Sequence, residues 1–151
     1  MGKKLLENVN RDLLRRTRGC VYAAGYHIIW CPKRRRKLYD SHTFKEAAKF
    51  HIEEACKRNG IELFEMECDR DHIHTFVSFP PRRSGAWALN CMKGYSSKML
   101  REGFPELAKI THEKHLWSPG YAFFTIGSVN ADKIEEYIRN NAGKSDPAPV
   151  P

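Results

Sequence analysis

Two histidines stand one residue apart in the stretch Asp71-His72-Ile73-His74-Thr75-Phe76-Val77-Ser78-Phe79-Pro80-Pro81. From Ile73 to Phe79 the residues are largely β-branched or aromatic, and the two prolines close the run, so it reads as a short strand ended by a turn. Side chains two apart on a strand share a face. His72, His74, Phe76 and Ser78 therefore fall on one side, and Ile73, Thr75, Val77 and Phe79 on the other. Two neutral imidazoles leaving a sheet together can share one divalent ion, and a third oxygen or nitrogen ligand from elsewhere leaves positions open for a substrate phosphate. Taken alone, the spacing favours two strand histidines simply hydrogen-bonded to backbone and water. Cys68 is close enough in sequence to join a zinc site, but no second nearby cysteine supports one. His27 reads as structural, since no partner histidine stands two residues away.

Two other groups of residues could do chemistry. Lys33-Arg34-Arg35-Arg36-Lys37 is a run of like charges, which repel one another unless an anion sits among them, so it reads as a phosphate-contacting loop. Arg82 and Arg83 add a second basic loop after the prolines. Near the end of the chain, Ile134, Tyr137, Ile138 and Asn141 recur at i, i+3, i+4 and i+7, one stripe of a helix. A plain core face explains the stripe. So does a phenol emerging beside an amide oxygen, a nucleophile next to a third metal ligand. Periodicity alone does not choose between them.

Composition narrows the class. The chain has 151 residues, 41% hydrophobic and 29% charged, enough for one domain with a real core. Lys plus Arg number 26 against 18 Asp plus Glu, a net charge of +8 that favours a polyanionic partner, nucleic acid being the commonest. A transmembrane helix is not expected, because no run of about 18 apolar residues occurs. The opening residues lack the apolar core of a secretory signal, and the five cysteines form no C-x-x-C pair. A reduced, cytoplasmic protein is the expectation.

The elements that must position these groups follow from pattern. Residues 1–19 form a basic arm whose order the pattern leaves open. Residues 20–30 suit one long strand ended by Pro32, and Ser41 or His42 opens a helix that Asn59-Gly60 stops. Residues 61–67 read as a strand forming an antiparallel hairpin with the histidine strand through Asp69-Arg70-Asp71. A second helix is predicted over 86–101, a strand over 121–127 and a closing helix over 131–141, with a proline-rich flexible tail at 143–151. The order β-α-β-β-α-β plus a closing helix predicts an α+β, ferredoxin-like (split βαβ) antiparallel sheet with helices on one face, the histidine strand central and the tyrosine on the C-terminal helix.

His27 to Lys37, Asp71 to Pro81, Leu116-Trp117-Ser118-Pro119-Gly120-Tyr121 and Tyr137-Ile138-Arg139-Asn140-Asn141 together resemble the single-tyrosine HUH transposases, the TnpA type of insertion sequences that move as single-stranded DNA. The likeness runs in order over a catalytic domain at residues 20–142. It implies that His72 and His74 hold Mg²⁺ or Mn²⁺ and that Tyr137 attacks a DNA phosphate, giving a 5′-phosphotyrosyl enzyme and a free 3′-OH. The third ligand would be Asn141, where the family typically has glutamine, one methylene longer. The resemblance further implies a homodimer in which active sites can be shared between subunits, and recognition of single-stranded DNA hairpins at the element's ends. Lys33, Arg34, Arg35, Arg36, Arg82 and Arg83 are the candidate DNA contacts, chosen by charge and position. A non-catalytic single-strand binding module and a metal-dependent nuclease using water are the competing readings.

Overall fold

The computed structural model describes residues 13–33, 41–107 and 116–125. Strands β1 (Leu14–Thr17) and β2 (Cys20–Ala23) pair antiparallel in a small ribbon. Next come β3 (Tyr26–Trp30), helix α1 (His42–Asn59), β4 (Glu62–Asp69), β5 (His72–Ser78), helix α2 (Gly85–Gly103) and β6 (Ala122–Thr125). The four later strands form one antiparallel sheet in the order β4-β5-β3-β6. Numbered within the β-α-β-β-α-β unit, the strand order is 2-3-1-4, the split βαβ arrangement expected, and the histidine strand is interior.

The expected single strand over 20–30 is two. Ala24 and Gly25 interrupt it, and the halves belong to different sheets: β2 turns back onto β1, while β3 enters the main sheet between β5 and β6. Part of the basic arm is therefore ordered as β1. Arg15 anchors the ribbon to the main sheet through a two-pronged ion pair with Glu62 on β4, at 2.6 and 2.8 Å. The predicted closing helix and the proline-rich tail lie outside the described residues.

Both helices start and stop as their ends dictate. Ser41 accepts a hydrogen bond from the Phe44 N–H and Ser84 accepts one from the Trp87 N–H, satisfying donors that the first turn leaves orphaned. Gly60 ends α1 in the left-handed region at φ 70°, where a side chain would be strained. The buried faces of α1 (Phe44, Ala48, Ile52) and α2 (Leu89, Met92, Leu100) pack on Ile28, Trp30, Ile73 and Val77 of the sheet, so both helices cover one face. That leaves alternate residues of the central strands on the opposite face.

Candidate active site on the open face of the sheet

Alternation along β5 separates core from chemistry. Ile73, Thr75 and Val77 are fully buried under the helices, while His72 and His74 point the other way and are half-buried. Thr75 fixes the strand by donating its hydroxyl to the Ile28 carbonyl at 3.1 Å. Pairing of Asp69 with His72 makes Arg70 and Asp71 a tight two-residue turn, which sets Asp71 Oδ1 3.3 Å from His72 Nδ1. A carboxylate there can accept the ring N–H and orient the imidazole, leaving its other nitrogen for a ligand.

His74 has a partner that spacing did not reveal. Its Nε2 lies 2.9 Å from Nδ1 of His27 on the neighbouring strand β3. The register aligns Ile29 with His74 and His27 with Phe76, so the two imidazoles meet on the diagonal, and the His27 ring stacks on Phe76 at 4.7 Å. Burial pulls both imidazoles below their ordinary range, and in His74 the neighbouring His27 and His72 push the same way. Neutral imidazole is the form that binds a metal. His27, read from the sequence as structural, is thus part of the histidine cluster. The signal lay in strand register, which no local motif encodes.

The remainder of this face is aromatic and acidic. A register shift between Leu63 and Glu65 sets Phe64 beside Phe76, with ring centroids 5.2 Å apart. Glu65 pairs with Phe76 and Glu67 with His74. Cys68 is on the core side, buried, with its thiol pushed up to about 12 by burial, so it is no part of a metal site.

The chemistry of the donors suits a divalent ion in part: His72 and His74 present ring nitrogens on one face. Among the described residues no group of three His, Cys, Asp or Glu side chains is close enough to hold one. Asn141, the residue expected to complete the set, lies outside the described residues, as do Tyr137, Arg34, Arg35 and Arg36. Lys33 is described and stands just past Trp30, which pairs with Ile73, so it belongs to the His72 end of the sheet. Arg82 and Arg83 follow β5 and stand at the opposite end, a strand length or roughly 20 Å away. The Arg83 guanidinium lies over Trp87, 4.7 Å from the ring centroid.

A split βαβ sheet with two histidines side by side on an interior strand, on the face turned away from helices α1 and α2, is the frame of a tyrosine transposase of the HUH class. Residues 20–141 match the family described as "Transposase IS200 like", and the chain belongs to it. It is 28% identical over 131 residues to the ISDra2 transposase TnpA of Deinococcus radiodurans, covering 87% of this chain and 93% of that one. It is 33% identical over 115 residues to the transposase for insertion sequence element IS200 of Salmonella typhimurium, covering 76% and 74%. The fold superimposes on a crystal structure from Deinococcus radiodurans R1 described as a transposase, with a TM-score of 0.74 and 27% identity over 83% of this chain and 96% of that one. It also resembles the REP-associated tyrosine transposase bound to a REP hairpin, with a TM-score of 0.50 at 13% identity, covering 84% and 71%. The chain is an insertion-sequence transposase, a DNA strand-transferring enzyme.

Proposed function

We propose that this transposase cleaves and rejoins single-stranded DNA at hairpin-bearing element ends through a 5′-phosphotyrosine intermediate on Tyr137. The observation that carries the reading is the pair His72 and His74, half-buried and on the face of β5 turned away from helices α1 and α2, in a chain whose family match extends past Tyr137. In the first step the Tyr137 oxygen attacks the scissile phosphorus, and the 3′ oxygen leaves and takes up a proton as a 3′-OH. In the second, a 3′-OH attacks the phosphotyrosine and the phenol is released. Each step exchanges one phosphodiester for another, so no ATP is required. Phenol has an ordinary pKa of about 10 and is a weak nucleophile at neutral pH without help from a base or nearby positive charge.

A divalent ion, Mg²⁺ or Mn²⁺, held by His72, His74 and Asn141 would polarise the scissile phosphate and stabilise the departing oxygen. Asp71 and His27 hold the two rings in place. Lys33, Arg34, Arg35, Arg36, Arg82 and Arg83 contact the backbone. The protein works as a homodimer in the cytoplasm, with the tyrosine helix reaching the histidines of its own or the partner subunit. The bound REP hairpin of the fold neighbour supports hairpin DNA as the substrate form. Incubation with hairpin-bearing single-stranded DNA and Mg²⁺ or Mn²⁺, followed by a denaturing gel, should yield a covalent protein–DNA adduct with the native chain and none with Tyr137→Phe. Cleavage that survives Tyr137→Phe would instead mark a nuclease using water. Binding with no cleavage by the native chain would mark a non-catalytic module.

A further inference from the structure

We propose that Lys93 is a site of covalent acylation, a nucleophilic amine in the cleft between helix α2 and residues 117–119 that takes the acyl group of an acyl phosphate. The inference is separate from the chemistry at His72 and His74 and does not depend on it. The cleft holds about 1010 Å³, room for a small-molecule donor beside the amine. Lys93 is half-buried in the helical wall of this cleft and has no part in the strand-transfer steps above.

The surroundings fix the amine. Lys93 Nζ donates to the Ser118 carbonyl at 2.6 Å. That segment is itself held in place. The Ser118 N–H donates to the Cys31 carbonyl at 2.9 Å, and the neighbouring Trp117 donates its indole N–H to Ser96 Oγ at 3.0 Å. An uncharged amine that keeps one N–H on the carbonyl has its lone pair directed away from that oxygen, available for attack. Burial pulls Lys93 from its ordinary 10.5 down to about 8. At pH 7 roughly one amine in ten is then uncharged, against about one in 3,000 at the ordinary value. Cys31, Lys33, Lys98, Arg101 and Glu102 are the other titratable groups around it.

The rest of the cleft suits the donor's phosphate. Ser97 and Lys98 stand about one helical turn, roughly 5 Å, further along α2, and Arg101 one turn beyond them. Lys33 adds a cation, and Glu102 is the one acidic residue among the lining groups. Ser97 Oγ accepts the Leu116 N–H at 3.3 Å, which leaves its own proton to donate to a phosphate oxygen. With the acyl carbon at Lys93, the phosphate falls toward these groups. The uncharged Nζ attacks the carbonyl carbon, an N–C bond forms, and the C–O bond to phosphate breaks. Phosphate leaves with the electron pair, and one amine proton passes to it or to water. The product is an uncharged amide whose N–H can still donate to the Ser118 carbonyl, so the cleft loses one cation and keeps its wall.

Incubation with acetyl phosphate at pH 7, followed over time by proteolysis and mass spectrometry of each lysine, tests the site. Lys93 should be acetylated about 10-fold faster than Lys57, an exposed lysine on α1, since the larger share of free amine is offset in part by the weaker nucleophilicity of a less basic nitrogen. In guanidinium chloride, where burial is lost, the two should react alike. Lys98→Gln/Arg101→Gln should slow acetylation of Lys93 by about 3- to 10-fold and leave Lys57 unchanged, and excess inorganic phosphate should do the same to the native chain. Gly94→Leu provides an independent block, because a Cβ there meets nothing within 4 Å and the side chain enters the cleft without disturbing the fold. It should slow Lys93 likewise, with thermal unfolding at or above the native midpoint. The proposal is overturned if Lys93 of the folded native chain reacts no faster than Lys57, or if either cleft variant acetylates Lys93 at the native rate.

Discussion

Replacing His27 by alanine asks whether the imidazoles of β3 and β5 act as one unit. The variant deletes the nitrogen 2.9 Å from His74 Nε2 and the ring stacked 4.7 Å from Phe76. In the native chain one of the two facing nitrogens must donate and the other accept, so the contact fixes both the tautomer and the rotation of His74. Removing an orienting partner of a metal-ligating histidine typically costs about 10- to 100-fold in affinity, or roughly 1.4 to 2.8 kcal/mol. Loss of the hydrogen bond costs about 0.5 to 1.5 kcal/mol of stability, with the stacking contact in addition. Mn²⁺ binding followed by electron paramagnetic resonance measures the first quantity and denaturant unfolding the second. The expected result is weaker Mn²⁺ binding, DNA binding in EDTA that is unchanged, and cleavage that recovers as Mn²⁺ is raised. His27→Gln, which returns a polar group to the site, should recover part of the affinity. A variant that loses stability but binds Mn²⁺ as the native chain does would show His27 to be mere packing, and the paired-imidazole reasoning would fail.

Other substitutions probe the supports of the site. Gly85→Ala would place a Cβ 2.5 Å from the Phe123 ring, which stacks on Tyr26, so it should destabilise by about 1 to 3 kcal/mol in urea unfolding. Ser96→Ala removes the hydroxyl that accepts the buried Trp117 indole N–H and should cost about 1 to 3 kcal/mol in urea unfolding, with a change in tryptophan fluorescence. Lys93→Met should stabilise the protein at neutral pH. The folded chain holds the Lys93 amine near 8 against an ordinary 10.5, so its ionisation penalty is complete below pH 8 and vanishes as pH rises through 10.5. Cys31, Lys33, Lys98, Arg101 and Glu102 surround the group and are common to both proteins, so the stability gap between native and variant should close over that window if Lys93 causes it. His72→Ala should abolish cleavage in the adduct gel while leaving DNA binding intact, since cationic side chains supply the affinity.

What the sequence made legible was whatever obeys a short period. Strict alternation from His72 to Ser78 identified β5 and put both histidines on one face, and Asn59-Gly60 marked the end of α1. The element order then sufficed for the sheet topology, because a β-α-β unit leaves room for the next strand between its own two. Contacts set by register were not legible. His27 and His74 are 47 residues apart, and a shift of one residue between β3 and β5 would send the two rings to opposite faces. The break at Ala24-Gly25 was hidden because apolar residues continue on both sides of it. Strand β1, Leu-Arg-Arg-Thr, buries almost nothing, so no alternation betrays it; the ion pair between Arg15 and Glu62 holds it instead. On α2 nothing in the helical pattern marks Lys93 and Lys98 as lining a cleft, since the opposite wall comes from residues 117–119, far along the chain.

The fold explains how two histidines come to be held side by side on an interior strand. An interior strand is paired on both edges: His74 stands opposite Ile29 of β3 and Glu67 of β4, and His72, at the strand's end, opposite Asp69 of β4. One face of β5 supplies the core, and its alternate residues are free for chemistry on the other. Burial lowers the His74 ring from its ordinary range, and the neighbouring His27 and His72 push the same way. The same topology sets the reach of the substrate. Lys33 lies at the His72 end of β5 while Arg82 and Arg83 lie at the other, so a ligand touching both must extend about 20 Å, roughly six phosphate steps along one strand of a duplex. A free single nucleotide cannot satisfy both contacts, whereas a length of polymer can, paired or unpaired, so the spacing of charge along the sheet, more than its total, calls for a chain of phosphates.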